Sequence, residues 1–362
     1  TGFMSQQTKY ISFSPWWAGW NNQRKSYETA AAISVITGRK LILPYKEYCC
    51  FFSNHEKKST FLNAWNILDK NAFTKEFDCV DFFDVPEYEN LGNNTHYFSG
   101  IDKIAKCFLF QDYPYQDWGY NKDPSKDEVL VYNIENKKDF QNFCGNRRIY
   151  NLNVKDKFIH FPRNLFSHFY YHVYGPNKEI RNLIKEKIGR GIVFKKEYFG
   201  LAKKALNGLG NFNAIHFRSG DFNNTHTSDT KDLVQNLKQM LDGRIPKGCN
   251  LYIATDEINK AVFDCLMPDY KIYFRESFYN FLDQYEALAL DHIIPAKADI
   301  FLGTKWSTFS DAIHIMRGFS GKKDFSREGI NFKLPKLDNT ILPWNQEQYQ
   351  WCNLYDIHWR NE

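Results

Sequence analysis

Short apolar runs alternate along this chain with longer segments in which apolar residues recur every three or four positions, most regularly beyond about residue 190. Near the start, Tyr10 to Phe13 predicts a strand, Ser14-Pro15-Trp16-Trp17-Ala18-Gly19-Trp20 a turn, and Asn22 to Thr37, carrying Ala30, Ala31, Ile33 and Val35, a helix. Gly38 is placed to cap that helix, and Arg39-Lys40-Leu41-Ile42-Leu43 predicts a second strand stopped by Pro44. Residues 45–160 are aromatic and polar with weak periodicity, and read as elaboration on this first β-loop-α-β unit. In the second half, strands are predicted at Ala214 to Phe217, Asn250 to Ala254, Lys271 to Phe274 and Asp299 to Leu302. Helices are predicted near Asp229 to Leu241, Asn259 to Cys265, Asp283 to His292 and Ser310 to Met316. Such alternation argues for a parallel sheet covered on both faces, hence an α/β fold.

The length of 362 residues suits two domains, expected at 1–190 and 191–330, with a tail at 331–362 packing back on the first. The formal charge of +5 is spread along the chain without blocks, which gives no support to nucleic-acid binding and suits an anionic small substrate. The 22 tyrosines, 32 phenylalanines and 9 tryptophans suffice for a core and for aromatic walls of a binding cleft. Eight cysteines without Cys-x-x-Cys spacing leave the redox compartment open. No apolar run reaches the roughly 20 residues that span a bilayer and no signal-peptide pattern precedes the first strand, so a cytoplasmic protein is expected. Thr1-Gly2-Phe3 ahead of Met4 keeps open a removed leader and a truncated luminal domain of the ER or Golgi. The sequons at Asn93 and Asn223 would matter only there. Oligomeric state is not legible.

Three predicted strands end in polar segments: His216-Phe217-Arg218-Ser219-Gly220-Asp221, Ala254-Thr255-Asp256-Glu257, and Gly303-Thr304-Lys305-Trp306-Ser307-Thr308-Phe309-Ser310. In an open α/β sheet ligands bind outside the carboxyl ends of strands, so these segments belong to one site. An arginine there meets phosphate best, because its planar fork makes two charge-assisted hydrogen bonds at once. The third segment enters a helix, whose first N–H groups favour an anion. Taken singly, Ser307 or Thr308 reads as an N-cap and Asp256 as a turn residue; together they read as a nucleotide site.

Gly19-Trp20-Asn21-Asn22-Gln23-Arg24, the alanine-rich helix and Gly38-Arg39-Lys40-Leu41-Ile42-Leu43-Pro44 resemble the opening of the protein O-fucosyltransferase family. The segment His216 to Asp221 resembles that family's His-x-Arg-x-Gly-Asp motif, shared with α1,6-fucosyltransferases, and Ala254-Thr255-Asp256 and Ser307-Thr308-Phe309 match two later motifs. The resemblance runs from Gly19 to Arg317. It implies a GT-B fold, two Rossmann-like domains facing across a central cleft, and inverting transfer of fucose from GDP-fucose to a protein or glycan acceptor. It further implies that Arg218 binds the β-phosphate and bridging oxygen, that Asp221 orients Arg218, and that His216 fixes the nucleotide. Ser307, Thr308 and Phe309 would hold the phosphates and Asp256 would accept from guanine or ribose. Asn21, with Gly19 beside it, would reach toward sugar and acceptor, while Trp20 reads equally as a ring stacking on acceptor sugars and as core. Ser219, where α1,6-type enzymes tend to carry a second arginine, favours the O-fucosyltransferase side.

No metal or other cofactor is expected, because the chain has no Asp-x-Asp pair to present carboxylates to a hard cation. His168 and His172 have helical metal-pair spacing without a partnering glutamate and read as aromatic packing. Some relatives place a glutamate base just before the Gly-aromatic-Asn turn, where this chain has Ala18, so the base is left to Glu28, which otherwise reads as a helix-surface residue, to Asp221 or to the phosphate itself. An α1,6-type glycan fucosyltransferase, a UDP-rhamnose-dependent enzyme and a non-catalytic nucleotide-sugar or carbohydrate-binding protein remain open.

Overall fold

The computed structural model describes residues 8–15, 19–44, 47–53, 56–85, 106–112, 130–134, 157–162, 178–218, 234, 237–239, 241–304 and 307–320. Asp221, Trp16, Trp17, Ala18, His168, His172, both sequons and the tail from 331 lie outside them. The chain divides into two units that change over between Val193 and Phe194, with residues 51–59 grouped with the second. No helix among the described residues is long and apolar enough to cross a membrane.

In the first unit, strand β1 (Tyr10–Ser14) leads to helix α1 (Trp20–Thr37) and strand β2 (Lys40–Leu43), parallel to β1. The helix stops because Gly38 adopts the left-handed conformation at φ 62°, ψ 23°, which a residue without Cβ takes at little cost, and its N–H bonds to Ser34 O. Buried Arg39 then donates through Nη1 to Tyr10 O at 3.2 Å and Lys157 O at 3.4 Å, joining the starts of two strands. Phe13 meets Tyr27 edge to face at 5.0 Å, seating α1 on β1.

The residues between 45 and 160 are more than elaboration. Strands β3 (Glu47–Ser53) and β4 (Glu56–Leu62) form a separate two-stranded sheet, and helix α2 (Lys70–Glu76) precedes β5 (Cys79–Asp81). Strands β6 (Lys106–Asp112), β7 (Leu130–Ile134) and β8 (Phe158–Pro162) follow. The six-stranded sheet has the order β5-β2-β1-β8-β6-β7, so this stretch supplies most of it. All its pairings are parallel. Helix α3 (Lys178–Gly191), also not anticipated, lies against α2, where Arg190 clasps the Glu76 carboxylate through Nε and Nη2 at 3.1 Å each.

The second unit opens with another helix that the sequence reading lacks, α4 (Lys196–Leu209), and then follows the expected alternation. Its sheet comprises β9 (Phe212–Phe217), β10 (Asn250–Thr255), β11 (Lys271–Tyr273) and β12 (Phe301–Leu302), all parallel, in the order β11-β10-β9-β12. Every residue of β9 is buried, as a central parallel strand requires. Ile215, Phe217, Leu251 and Ile253 pack on one face with Val234, Leu237, Leu241 and Phe263. Of the helix expected near Asp229 to Leu241, the described residues 234, 237–239 and 241 are helical. The expected helix at Asn259 to Cys265 is instead a 3₁₀ helix, Lys260–Leu266. Pro268 follows closely and lacks the N–H that a longer α ladder would use.

On the other face, helix α5 (Gln284–Lys297) starts at Asp283, whose Oδ1 accepts from the Tyr285 and Glu286 N–H groups while Glu286 reaches back to the Asp283 N–H. Asp291 on α5 accepts from Tyr252 Oη of β10 at 2.8 Å and from Arg275 Nη1. Helix α6 (Thr308–Phe319) begins two residues earlier than its apolar pattern suggests. From it the fully buried Arg317 donates to Ala298 O at 2.6 Å and Asp299 O at 3.1 Å, with Pro295 O and Ala296 O at 3.4 Å, satisfying the carbonyls that end α5. Arg317→Met keeps the length and loses every one of these bonds. It is expected to destabilise the second unit by about 2 to 4 kcal/mol in urea unfolding, since several buried carbonyls lose a charged donor at once.

Candidate active site

Strand order fixes where a ligand can enter the second unit. The chain moves from β9 outward through β10 to β11 and then returns to place β12 on the opposite side of β9. Beyond the carboxyl ends of β9 and β12 the connections depart in opposite directions, and the crevice between them is where doubly wound sheets bind nucleotides. Arg218 is the first residue past β9, and Gly303 to Ser310 cross from β12 into α6.

Glycine at 303 is dictated by how closely α6 approaches β12. A Cβ at Gly303 would lie 2.6 Å from Ser310 Cβ and 2.8 Å from Ser310 Oγ. Tucked in this way, Ser310 Oγ reaches His216 Nδ1 at 2.7 Å. The His216 ring stacks on Phe309 at 4.5 Å with 18° between planes, and Phe309 meets buried His292 at 3.7 Å. A carbonyl can only accept, so His292 Nδ1 carries a hydrogen, donated to Leu288 O at 2.7 Å. Burial, with Arg218 and His292 nearby, holds the His216 imidazole well below its ordinary value of 6.5. It is therefore neutral at neutral pH.

Two hydroxyls complete this crest. Thr304, 2 % exposed, donates through Oγ1 to His216 O at 2.6 Å and accepts from the Arg218 N–H at 3.1 Å. Ser307 is fully buried at the N-cap of α6, yet its Oγ makes no capping bond and has no partner among the described residues. An unsatisfied buried hydroxyl costs about 1 to 3 kcal/mol. Here it stands beside the N–H groups of a helix's first turn, so the arrangement can take an anionic group with several oxygens.

Asp256 follows β10 on the same edge of the sheet, with β9 between it and β12. Its loop is closed on itself: Thr255 Oγ1 accepts from the Glu257 N–H at 3.0 Å and Glu257 Oε1 from the Asn259 N–H at 2.9 Å. Lys260 Nζ adds a bond to Glu257 O at 2.6 Å. Five of the expected residues, His216, Arg218, Ser307, Thr308 and Phe309, thus share one crest with Asp256 on its flank. Thr304, Ser310 and His292 join them without having been assigned a role from sequence.

Gly19, Trp20 and Asn21 belong to the first unit, at the opening of α1. Gly19 is the N-cap, its carbonyl accepting from the Asn22 N–H at 3.0 Å and the Gln23 N–H at 3.3 Å. Asn21 is 7 % exposed. Trp20 Nε1 and Asn22 Oδ1 are buried without partners among the described residues, which adds Asn22 to the polar groups of this turn. Glu28 is no helix-surface residue: it is 1 % exposed and paired with Arg24 Nε at 3.1 Å inside a helix buried all round. Among the described residues no three His, Cys, Asp or Glu side chains gather as a metal ligand set.

Comparison with known proteins bears on the family and the fold. The family model described as GDP-fucose protein O-fucosyltransferase matches residues 10–320. Crystal structures of POFUT1 are similar to this chain, with GDP-fucose (TM-score 0.51, 15 % identity, 88 % of this chain and 97 % of that one) and with GDP (0.50, 15 %, 88 % and 98 %). NodZ alpha-1,6-fucosyltransferase with GDP aligns at a TM-score of 0.48 and 13 % identity over 85 % of this chain and 92 % of that one. No curated protein matches the sequence. The fold is α/β and of the GT-B type.

The depressed His216 value has a testable sign. Below pH 6.5 an unfolded chain protonates this imidazole while the folded chain does not, so the stability it contributes is present above that pH and lost as pH falls. Melting temperature is expected to drop between pH 7 and pH 5 in the native protein, and less steeply in His216→Gln.

Proposed function

The chain belongs to the GDP-fucose protein O-fucosyltransferase family, and from that premise we propose that it moves fucose from GDP-fucose to a hydroxyl of a protein or glycan acceptor, with inversion and without a metal. The observation that carries the reading is that the carboxyl ends of β9 and β12 hold Arg218, whose N–H is bonded by Thr304, and the start of α6, where the buried Ser307 hydroxyl has no partner among the described residues. In this reading the diphosphate lies on α6. Ser307 Oγ–H and the N–H groups at Thr308 and Phe309 donate to its oxygens, and Arg218 bonds the β-phosphate and the bridging oxygen. His216 adds a neutral donor or acceptor, Asp256 accepts from guanine or ribose, and Asp221 orients Arg218. Gly19, Trp20 and Asn21 serve the sugar and the acceptor.

Transfer passes through an oxocarbenium-like state in which the bond from C1 to the bridging oxygen breaks as the acceptor oxygen approaches from the opposite face. Charge grows on the departing diphosphate, and fixed donors aimed at it lower the barrier without reorganising. The acceptor proton must leave as well. Its destination is a diphosphate oxygen, Asp221 or Glu28, whose carboxylate lies 3.1 Å from Arg24 Nε.

A panel of GDP, UDP, GDP-fucose, GDP-mannose and UDP-rhamnose tests the donor. GDP and GDP-fucose are expected to raise the melting temperature, with a ligand at 100 times its Kd contributing about 2.7 kcal/mol. Stabilisation by UDP alone would end the fucose reading. Arg218→Ala is expected to lower kcat by about 10² to 10³ while the protein stays folded, and turnover near the native level would remove Arg218 from the reaction.

A further inference from the structure

The pairing of β9 with β12 stops before the crevice begins. Phe301 lies opposite Ala214 and Leu302 opposite Ile215, so Gly303 and Thr304 run alongside His216 and Phe217 as the strands part. At this point a side chain takes over from the backbone ladder. The Thr304 hydroxyl uses its proton on His216 O at 2.6 Å and a lone pair on the Arg218 N–H at 3.1 Å, bridging the penultimate carbonyl of β9 to the first N–H beyond the strand. Thr304 itself is held, because the Ser307 N–H donates to Thr304 O at 3.2 Å. Arg218 therefore leaves the sheet from a backbone fixed on both sides by one buried hydroxyl.

We propose that Thr304 is a positioning residue for Arg218, setting where the guanidinium originates relative to the α6 N-terminus. This rests on the reading of Arg218 as the group that meets the diphosphate. A hydrophobic residue of the same shape at 304 would fill the same volume and leave Arg218 to drift. Small misplacement of a charge-stabilising group is felt more in the transition state than in donor binding, so the loss belongs in kcat rather than KM.

The test is a double-mutant cycle on the full chain with steady-state kinetics and melting curves. Thr304→Val is expected to lower kcat by about 10- to 100-fold with the KM for GDP-fucose within about threefold, and Thr304→Ser to recover activity to within about threefold of native. In an Arg218→Ala background, Thr304→Val is expected to change kcat by less than about twofold, because residues acting as a unit are not additive. Thr304→Ala removes the same bonds without setting a methyl group against His216 O, and gives the same readings if the valine variant does not fold. Native-like kcat in folded Thr304→Val or Thr304→Ala overturns the proposal, as does an equal loss with and without Arg218. An active Arg218→Ala protein overturns both this proposal and the reading it rests on; additivity with an inactive Arg218→Ala protein overturns this one alone.

Discussion

Parallel strands that lie side by side but hand their chains to opposite directions must part at their carboxyl ends, and β9 and β12 do so. The crevice so made is the premise of everything around it. Gly303 has no Cβ because α6 must come down onto the end of β12 before it can present its N-terminus there. Ser310 and Phe309 are brought against His216 by the same approach. The energetic demand is local, an exposed sheet end with backbone groups short of partners, and it is met by side-chain hydroxyls and by a helix start.

The wall behind this crest is built around α5. Asp291 ties the middle of that helix to Tyr252 of β10 and to Arg275, and Arg317 of α6 closes its carboxyl end. His292, next to Asp291, is thereby fixed in depth, and with it the far side of Phe309. Charged groups in an interior are costly unless fully bonded, and each of these has several partners. The stack of imidazole, phenyl and imidazole under the crest is thus held from two directions.

Much of this could be read from the chain alone. The cap at Gly38, the strand Ala214 to Phe217 and the helix opening near Asp283 are local signals that survive folding unchanged. The outer strands of the first sheet were not legible, because short strands such as Cys79–Asp81 and Leu130–Ile134 have no period of their own and gain identity from neighbours distant in sequence. Glu28 misled for a similar reason: helix spacing assigns it a solvent face, whereas α1 is covered on every side. In the site the residue types were legible and the bonds were not. Ser307 has the sequence of a cap and makes no capping bond, while Thr304, which looks like a turn residue, ties two strands' ends together.

The loop that follows β10 satisfies its own hydrogen bonds through Thr255, Glu257, Asn259 and Lys260. The β9/β12 crest, built on a different pair of strands, satisfies its own through Thr304 and Ser310. Each of these bonds closes within its own set. An insertion or exchange after β10 would alter what lies beside Asp256 and leave the hydrogen bonds of Thr304 and Ser310 in place. A fold partitioned in this way can exchange the loop beyond one strand over evolutionary time while keeping the crest built on another pair.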